Sequence, residues 1–543
     1  MRNWWLAFLV VGLWSCKNAP TEEVTNRFQE ERLQHIYDLQ DQRQSARLVP
    51  FLKAKKTHHR EAAALAFASV QDPSKARFVK ESMLTDGDAR VRRAAAYALG
   101  QLRDSTNVPA LFMAFENEID LQNRKIILEA LGKSANNKVV EYLDAFNSTA
   151  TQLREGHAIA MLRACRKRKV GENYKRNAIR YFDPVSNDQT KIYAAWVLKF
   201  LKDDAGYNES DIRMWKSSTQ HPEVHRLLDE LIIAPEPQIE DENLKTPTTL
   251  ISQRDQFAND YLFARALSKS TVVEEDDMNT LYRLIGDSVQ IVATTAANHF
   301  VESIDDTYRQ GSSYREEIVS FLTSDDMAKQ SVGCYEVVKN PDPFFQKFLA
   351  PEMEKLELPR QLETYLDFQK ALAKITGETY EKPKYSDNRT IDWECVSTLQ
   401  DSVYVDIKTN RGVIRIVCLV NEAPGSVSNF LKLVEDGFYD GKVFHRVVPN
   451  FVIQVGCPRG DGWGSLDWTQ RSEFSNYLRY HTGAVGLASA GNDTEGVQFF
   501  ITHNSTPFLD GRYSIFAFVT EGMDVVGQIE MGDKIESIQI VGD

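Results

Sequence analysis

The stretch FHRVVPNFVIQVG, residues 444–456, places two strong hydrogen-bonding side chains in a run that is otherwise mostly apolar. Arg446 carries a planar guanidinium that is always charged, and Gln454 carries an amide that both donates and accepts hydrogen bonds. The valines and isoleucine around them are typical of a β-strand. Taken alone, the stretch fits an amphipathic strand with an exposed Arg and Gln as well as it fits a pair of functional groups. Choosing between these two interpretations requires the rest of the sequence.

Other catalytic patterns are missing from the sequence. It contains no HExxH and no GxSxG, and GCPRGDGWG (456–464) has no P-loop lysine followed by Ser or Thr. His58 and His59 are adjacent and lack the i, i+4 spacing of a helical metal pair, so we expect both on the surface. We therefore predict neither a metal site nor a cofactor.

The elements around the opening stretch are mainly strands. VYVDIKTNRGVIRIVCLV, residues 403–420, predicts a hairpin that turns at Asn410–Gly412. APGSVSNFLKLVEDGFYDG, residues 423–441, predicts a short amphipathic helix with Ser426 or Ser428 as its cap. Residues 396–543 are thus predicted to form a compact, mostly β domain.

Four further sequence blocks follow the opening stretch in order: GDGWG, EFSNYLRYHTGAVGLASAG, TEGVQFFI and FLDGRYSIFAFV. With these blocks, residues 396–543 resemble a cyclophilin-type peptidyl-prolyl cis-trans isomerase. The resemblance implies a closed antiparallel β-barrel of eight strands capped by two helices. It also implies an enzyme that accelerates X-Pro isomerisation.

The resemblance assigns roles to individual residues. Arg446 would be the catalytic guanidinium, and Gln454 would anchor the substrate backbone beside it. The apolar slot for the proline ring would be formed by Phe451, Val452, Phe500 and Leu509. The residues before the proline would be held by Gln498 with Ala488, Ser489 and Ala490. Two aromatic residues at the rim, Phe508 and Tyr513, would also bind substrate.

Three positions depart from many members of that family. Phe508 stands where many eukaryotic members have Trp, Tyr513 where they have His, and Ser489 where Asn is common. Loss of the indole donor argues against strong inhibition by cyclosporin more than against activity.

Residues 31–235 contain a helical repeat. Ala66, Ala98 and Ala130 are 32 residues apart, and a further step of 64 reaches Ala194. Small residues beside large apolar ones, repeated at this period, predict paired helices stacked as a solenoid. The pattern, including the Asp-x-x-Val-Arg motif at residues 88–92, resembles HEAT-type repeats; an ordinary helical bundle is the alternative.

Two polar segments divide the rest of the chain. Residues 236–250 are acidic and contain proline, which predicts a loop. Residues 251–375 predict further, more divergent repeat helices, so the whole chain is expected to combine an all-α solenoid with the β domain. Residues 376–395 predict a polar linker that leaves the two parts some freedom.

The N-terminus predicts export and anchoring. Residues 1–15 have a basic residue and a short apolar run, which suit a signal peptide. Leu13–Cys16 resembles a bacterial lipoprotein box, so Cys16 is the predicted lipidation site and residues 16–30 a lipidated tether. We expect an outer-membrane location in the bacterial cell envelope, on a side that the sequence does not specify.

Composition limits the partners. The chain has 543 residues and a net charge of −13, which argues against nucleic acid. The resemblance to the isomerases implies proline-containing client proteins as partners. The predicted lipid would add the membrane, and the helical repeats could bind an outer-membrane or periplasmic complex. An alternative function is a scaffold lipoprotein whose β domain only binds prolyl segments. We expect the five cysteines after Cys16 to be mainly buried, with one disulfide possible.

Overall fold

The computed structural model describes residues 26–167, 170, 172–201, 207–232, 245–381, 383 and 389–541. The predicted signal peptide, Cys16 and the part of the tether before Asn26 lie outside the described residues, as do residues 236–244 of the predicted acidic loop. Within the described residues, no helix has the length and apolar character needed to cross a membrane.

The first part of the chain is helical. Its helices are α1 (Glu31–Asp41), α2 (Ser45–Leu48), α3 (Thr57–Val70), α4 (Ala76–Thr85), α5 (Ala89–Gln101), α6 (Val108–Asn117), α7 (Leu121–Lys133), α8 (Asn137–Ala145), α9 (Thr151–Cys165), α10 (Glu172–Ile179), α11 (Asp188–Phe200), α12 (Glu209–Lys216), α13 (Pro222–Asp229), α14 (Pro247–Ser252), α15 (Asp260–Leu267), α16 (Glu275–Leu284), α17 (Gln290–Ser303), α18 (Asp306–Gln310), α19 (Tyr314–Leu322), α20 (Met327–Lys339), α21 (Gln346–Met353) and α22 (Leu362–Thr376). We call α1–α22 the helical region.

The repeated alanines lie on one row of stacked helices. Helices α1, α3, α5, α7, α9, α11 and α13 contact one another in sequence, and we call them the inner row together with α15, α17, α20 and α22. Small residues let their backbones approach closely: a Cβ at Gly132 of α7 would lie 2.4 Å from the carbonyl oxygen of Ala160 in α9. The alanines that recur with this period therefore lie where successive repeats contact one another.

Three predicted boundaries differ in the structure. Residues 26–30 of the predicted tether pack on the sheet domain, where the Asn26 amide donates to the carbonyl oxygens of Val396 and Leu399, at 2.6 and 2.8 Å. Helix α14 begins at Pro247, inside the segment predicted to be a loop. The predicted linker ends in a helix, α23 (Trp393–Val396).

The second part of the chain, which we call the sheet domain (residues 389–541), contains eight strands and two longer helices. They are β1 (Ser402–Thr409), β2 (Gly412–Leu419), α24 (Pro424–Glu435), β3 (Arg446–Val448), β4 (Val452–Val455), β5 (Ala484–Leu487), β6 (Phe499–Thr502), β7 (Ile515–Glu521), α25 (Met523–Gln528) and β8 (Ile535–Val541). The strand order is β3-β4-β6-β5-β7-β2-β1-β8, with antiparallel pairing throughout.

The expected hairpin at Asn410 is confirmed, whereas two other expectations need revision. The end strands β3 and β8 form no ladder with each other in the described sheet; a single antiparallel bridge, Val443 to Lys534, lies between the segments before them. The structure therefore supports a curled antiparallel sheet, and closure into a barrel is not established by strand pairing. Helix α24 begins at Pro424, so neither Ser426 nor Ser428 is its N-cap.

The inner row packs against the sheet domain, so the freedom expected from a linker is not seen. Phe28 and Tyr37, beside and within α1, belong to the same buried cluster as the sheet, and the ring of Trp393 lies 5.4 Å from that of Phe28. In the reverse direction, Phe474 of the sheet domain is buried in the core of the helical repeats. Neither part closes its core without the other.

A buried group of charges lies at the centre of this contact. Glu129 of α7 accepts from Arg163 of α9 and from Arg479 of the sheet domain, each at 2.9 Å, with Lys133 at 3.1 Å. Arg163 also lies 3.0 Å from Asp510. Burial alone would raise the pKa of Glu129, but the three cations outweigh it and hold that pKa well below its usual range. We call these five residues the buried ion cluster.

We predict that Glu129→Gln destabilises the protein by about 3–5 kcal/mol, because it leaves buried cations without their shared carboxylate. The free energy of the first unfolding transition, from urea titration followed by tryptophan fluorescence, measures this change. The matched control is Asp229→Asn, which removes a carboxylate from a largely exposed pair with Lys216 and should cost less than about 1 kcal/mol. Equal effects of the two substitutions would contradict a stabilising role for the buried ion cluster.

Candidate functional site

Two adjacent strands position the polar pair predicted from the sequence. Arg446 on β3 is the direct antiparallel partner of Gln454 on β4, so both side chains leave the same face of the sheet. The Arg446 Nη1 atom lies 3.5 Å from Gln454 Oε1. Gln454 Nε2 donates to Gln498 Oε1 at 3.0 Å, which adds the third predicted polar residue to one hydrogen-bonded row.

The predicted apolar slot is also assembled. Val452, Phe500 and Leu509 are buried in one small cluster, and Phe451, Phe508, Ala488 and Tyr513 are partly buried against it. The ring of Phe451 lies 5.5 Å from that of Phe508, and the ring of Tyr513 meets Phe500 edge-on at 5.7 Å. Sequence reasoning missed Tyr480, whose buried ring stacks on Phe500 at 5.5 Å within the same cluster.

The glycine-rich loop holds Gln498 in place. Gln498 Nε2 donates to the carbonyl oxygens of Gly462 and Gly464, at 2.8 and 2.9 Å. Its side-chain oxygen therefore faces Gln454. Ala488, Ser489 and Ala490 follow β5 and line the same cavity as both glutamines. The residues expected to hold the substrate backbone thus lie together.

Arg446 is exposed and carries a charge that the protein does not neutralise. No carboxylate pairs with it among the described residues. Its guanidinium lies 5.6 Å from the centre of the Phe451 ring, and partial desolvation lowers the pKa of Arg446 while the charge of Tyr513 opposes that change. An arginine remains charged throughout the physiological range. The site therefore presents a free cation beside an apolar slot, an arrangement suited to binding and stabilising an electron-rich group.

The helical region contributes to the rim of the slot, which sequence reasoning did not detect. The ring of Trp196 in α11 lies 5.2 Å from that of Phe508, edge to face. Arg103, which follows α5, and Arg512 of the sheet domain line a cleft with Tyr513. Burial first, and then the charge of Arg512, lower the pKa of Arg103. No local sequence signal predicts these contacts, because the partners are hundreds of residues apart.

One trio of potential metal ligands occurs in the described part of the chain, away from this site. The ligand atoms of Glu30, His58 and His59 lie within 4.8 Å of one another. The expectation that both histidines lie on the surface is wrong for His59, which is buried. Lys56 Nζ lies 2.8 Å from the same Glu30 carboxylate and would repel a metal ion, so we assign the trio to ion pairing.

Within the described residues, the five cysteines after Cys16 form no disulfide with one another. Cys334, Cys418 and Cys457 are buried, as expected, and Cys165 and Cys395 are half-buried. Burial raises the pKa of the Cys165 thiol to about 12, which leaves it a poor nucleophile.

Known proteins resemble the two parts of the chain separately. Residues 404–541 match the family described as cyclophilin type peptidyl-prolyl cis-trans isomerase/CLD, and residues 78–163 match HEAT repeats. The peptidyl-prolyl cis-trans isomerase of Helicobacter pylori (strain ATCC 700392 / 26695) is 41% identical over 143 residues, which are 26% of this chain and 88% of that protein. Peptidyl-prolyl cis-trans isomerase B of Bacillus subtilis (strain 168) is 44% identical over 121 residues, covering 22% of this chain and 85% of that protein.

A crystal structure of a cyclophilin type peptidyl-prolyl cis-trans isomerase from Cryptosporidium parvum aligns with 26% of this chain and 99% of its own, at 30% identity and a TM-score of 0.26. The family match at residues 404–541 spans the strands and loops that carry Arg446, Gln454 and Gln498. Through its sheet domain, and with HEAT repeats in its helical region, this chain belongs to the cyclophilin-type peptidyl-prolyl cis-trans isomerases.

Proposed function

We propose that this isomerase acts on proline-containing client proteins in the bacterial cell envelope, with its helical region taking part in client or partner binding. The observation that carries the proposal is the unpaired Arg446 guanidinium, placed beside an apolar slot and a row of glutamines. The rim residues from the helical region support the second part, because a client bound at the slot would also meet them.

The chemistry requires no nucleophile and no proton transfer. The X-Pro amide is planar through resonance, and its uncatalysed rotation takes tens of seconds. Rotation is eased when the prolyl nitrogen becomes pyramidal and gains a lone pair. Arg446 would stabilise that lone pair while the slot holds the ring and Gln454 holds the backbone. To shorten this rotation to milliseconds, the site must stabilise the twisted amide by about 5–6 kcal/mol more than the planar amide.

The inner row is already occupied by the sheet domain, so we place client binding at the rim of the slot. There, Trp196 and Arg103 of the helical region border Phe508 and Tyr513 of the sheet domain. A short prolyl segment fills only the slot and binds weakly by itself. Additional contacts at the rim would keep a longer client near the catalytic groups.

We predict that Arg446→Ala lowers kcat/KM for an X-Pro peptide by about 10²–10³-fold, because the charge that stabilises the twisted amide is lost. Cis-to-trans conversion of a chromogenic peptide measures this in the chain from residue 26 onward. Arg213→Ala, which removes an exposed arginine on α12, serves as the control. Near-normal activity of Arg446→Ala would refute the assigned role.

The same variant separates the enzyme from the scaffold alternative. Arg446→Ala and wild-type chains would be expressed in cells that lack the natural protein, and cross-linked partners would be recovered from their envelopes. We expect the variant to retain partners but fail to restore function. Full restoration by the inactive variant would favour a scaffold that only binds prolyl segments.

We further propose anchoring through Cys16, supported by the apolar run and the Leu13–Cys16 box in the sequence. Cys16→Ser is expected to abolish lipid attachment and release the protein from the membrane fraction. Mass spectrometry of the mature N-terminus gives the readout, with Cys395→Ser as a control that removes a different cysteine. A mature wild-type chain without lipid at Cys16 would rule the anchor out.

A further inference from the structure

A cavity of about 160 Å³ lies beside the slot, between the sheet domain and the start of α22. On the sheet-domain side it is lined by the residues that hold the substrate backbone, Gln454, Gln498 and 488–490. The helical region lines the opposite side through Pro359, Arg360, Leu362 and Glu363. The side chain of a client residue near the proline would therefore enter a cavity that both parts of the chain build.

One charged pair at this cavity and a second pair further along α22 are neutralised internally. Arg360 Nε and Nη2 donate to the two carboxylate oxygens of Asp467, at 2.6 and 2.9 Å. Lys370, on the next turns of α22, pairs with Asp367 at 2.7 Å. These four residues contribute no net charge to the cavity.

Glu363 is the exception. Among the described residues, its carboxylate has no hydrogen-bonding or ion-pairing partner, although it lines the cavity. The Ser489 Oγ atom on the opposite side is buried and also lacks a partner. When Glu363 is ionised, the cavity thus offers one negative charge without an ion-pairing partner and one free hydroxyl, which suit a long side chain ending in a cation.

We propose that this cavity is a subsite for a lysine or arginine side chain of the client, and that Glu363 of the helical region determines that preference. Because the cavity shares its wall with the residues expected to hold the segment before the proline, the cation belongs to a residue preceding the proline. The inference rests on the isomerase activity proposed above. It makes the helical region part of substrate recognition rather than only a support.

The test uses the chain from residue 26 onward and three sets of X-Pro peptides, with the variable residue one, two or three positions before the proline. At each position the residue is Lys, Gln or Glu. Burial and then the charge of Asp367 raise the pKa of Glu363 to about 7, while the charge of Lys370 opposes them, so the assays are run at pH 8, where most of the carboxylate is ionised. The readout is the ratio of kcat/KM between two peptides, which does not depend on the fraction of active enzyme in each preparation.

At one of the three positions, we expect the wild-type protein to prefer Lys over Gln by about fivefold and to disfavour Glu, as for one partly exposed ion pair. Glu363→Gln should bring the Lys-to-Gln ratio close to one, and Glu363→Lys should favour the Glu peptide. Glu354→Gln, an exposed glutamate beyond α21, should leave the ratio unchanged.

A wild-type ratio near one at all three positions overturns the proposal even if no variant folds. A Lys preference that survives in Glu363→Gln also overturns it, as does a Glu preference in the wild type, which would assign the cavity to Arg360. Failure of the isomerase function is distinguishable, because it would remove activity toward every peptide, including those with Gln.

Discussion

The shared carboxylate of Glu129 is the interaction on which the assembly of this protein depends. Two arginines from different parts of the chain and one lysine converge on it, and all three side chains are largely buried. Each cation would be costly to bury alone, and each is stabilised only while the other partners are in place. The cluster therefore specifies one relative position of the helical region and the sheet domain.

Contacts that depend on this relative position also hold part of the candidate active site. Arg163 donates to the carbonyl oxygen of Pro507 and pairs with Asp510, on either side of Phe508 and Leu509. Gln101 of α5 donates to the Gly511 carbonyl oxygen at 2.9 Å. The loop that supplies one wall of the prolyl slot is thus held by the helical region as well as by the sheet.

The other side of the site is held by the later helices. Arg459, which precedes the glycine-rich loop, pairs with Asp326 at the start of α20, and Thr294 of α17 donates to Asp461 at 3.2 Å. This loop in turn accepts both hydrogen bonds from the Gln498 amide. Arg459, Asp326 and Asp461, which support this side of the site, are paired with one another, whereas Arg446 inside the site and Glu363 beside it have no charged partner among the described residues.

Local sequence patterns determined the parts of this protein that local physics controls. The alanine period gave the stacked helices, because small residues must recur wherever backbones approach closely. Alternation and turn residues gave the hairpin at Asn410, and the ordered blocks gave Arg446, Gln454 and the slot.

The contacts between the two parts left no such signal. Trp196 and Glu363 meet the site only in the folded chain, because their partners are distant in sequence and no periodicity relates them. Only the tertiary structure decided that the two parts joined by the linker complete each other's cores. Phe28, near the N-terminus, is buried against the sheet domain, and Phe474 of the sheet domain is buried among the repeat helices, so neither burial can be read from the local sequence.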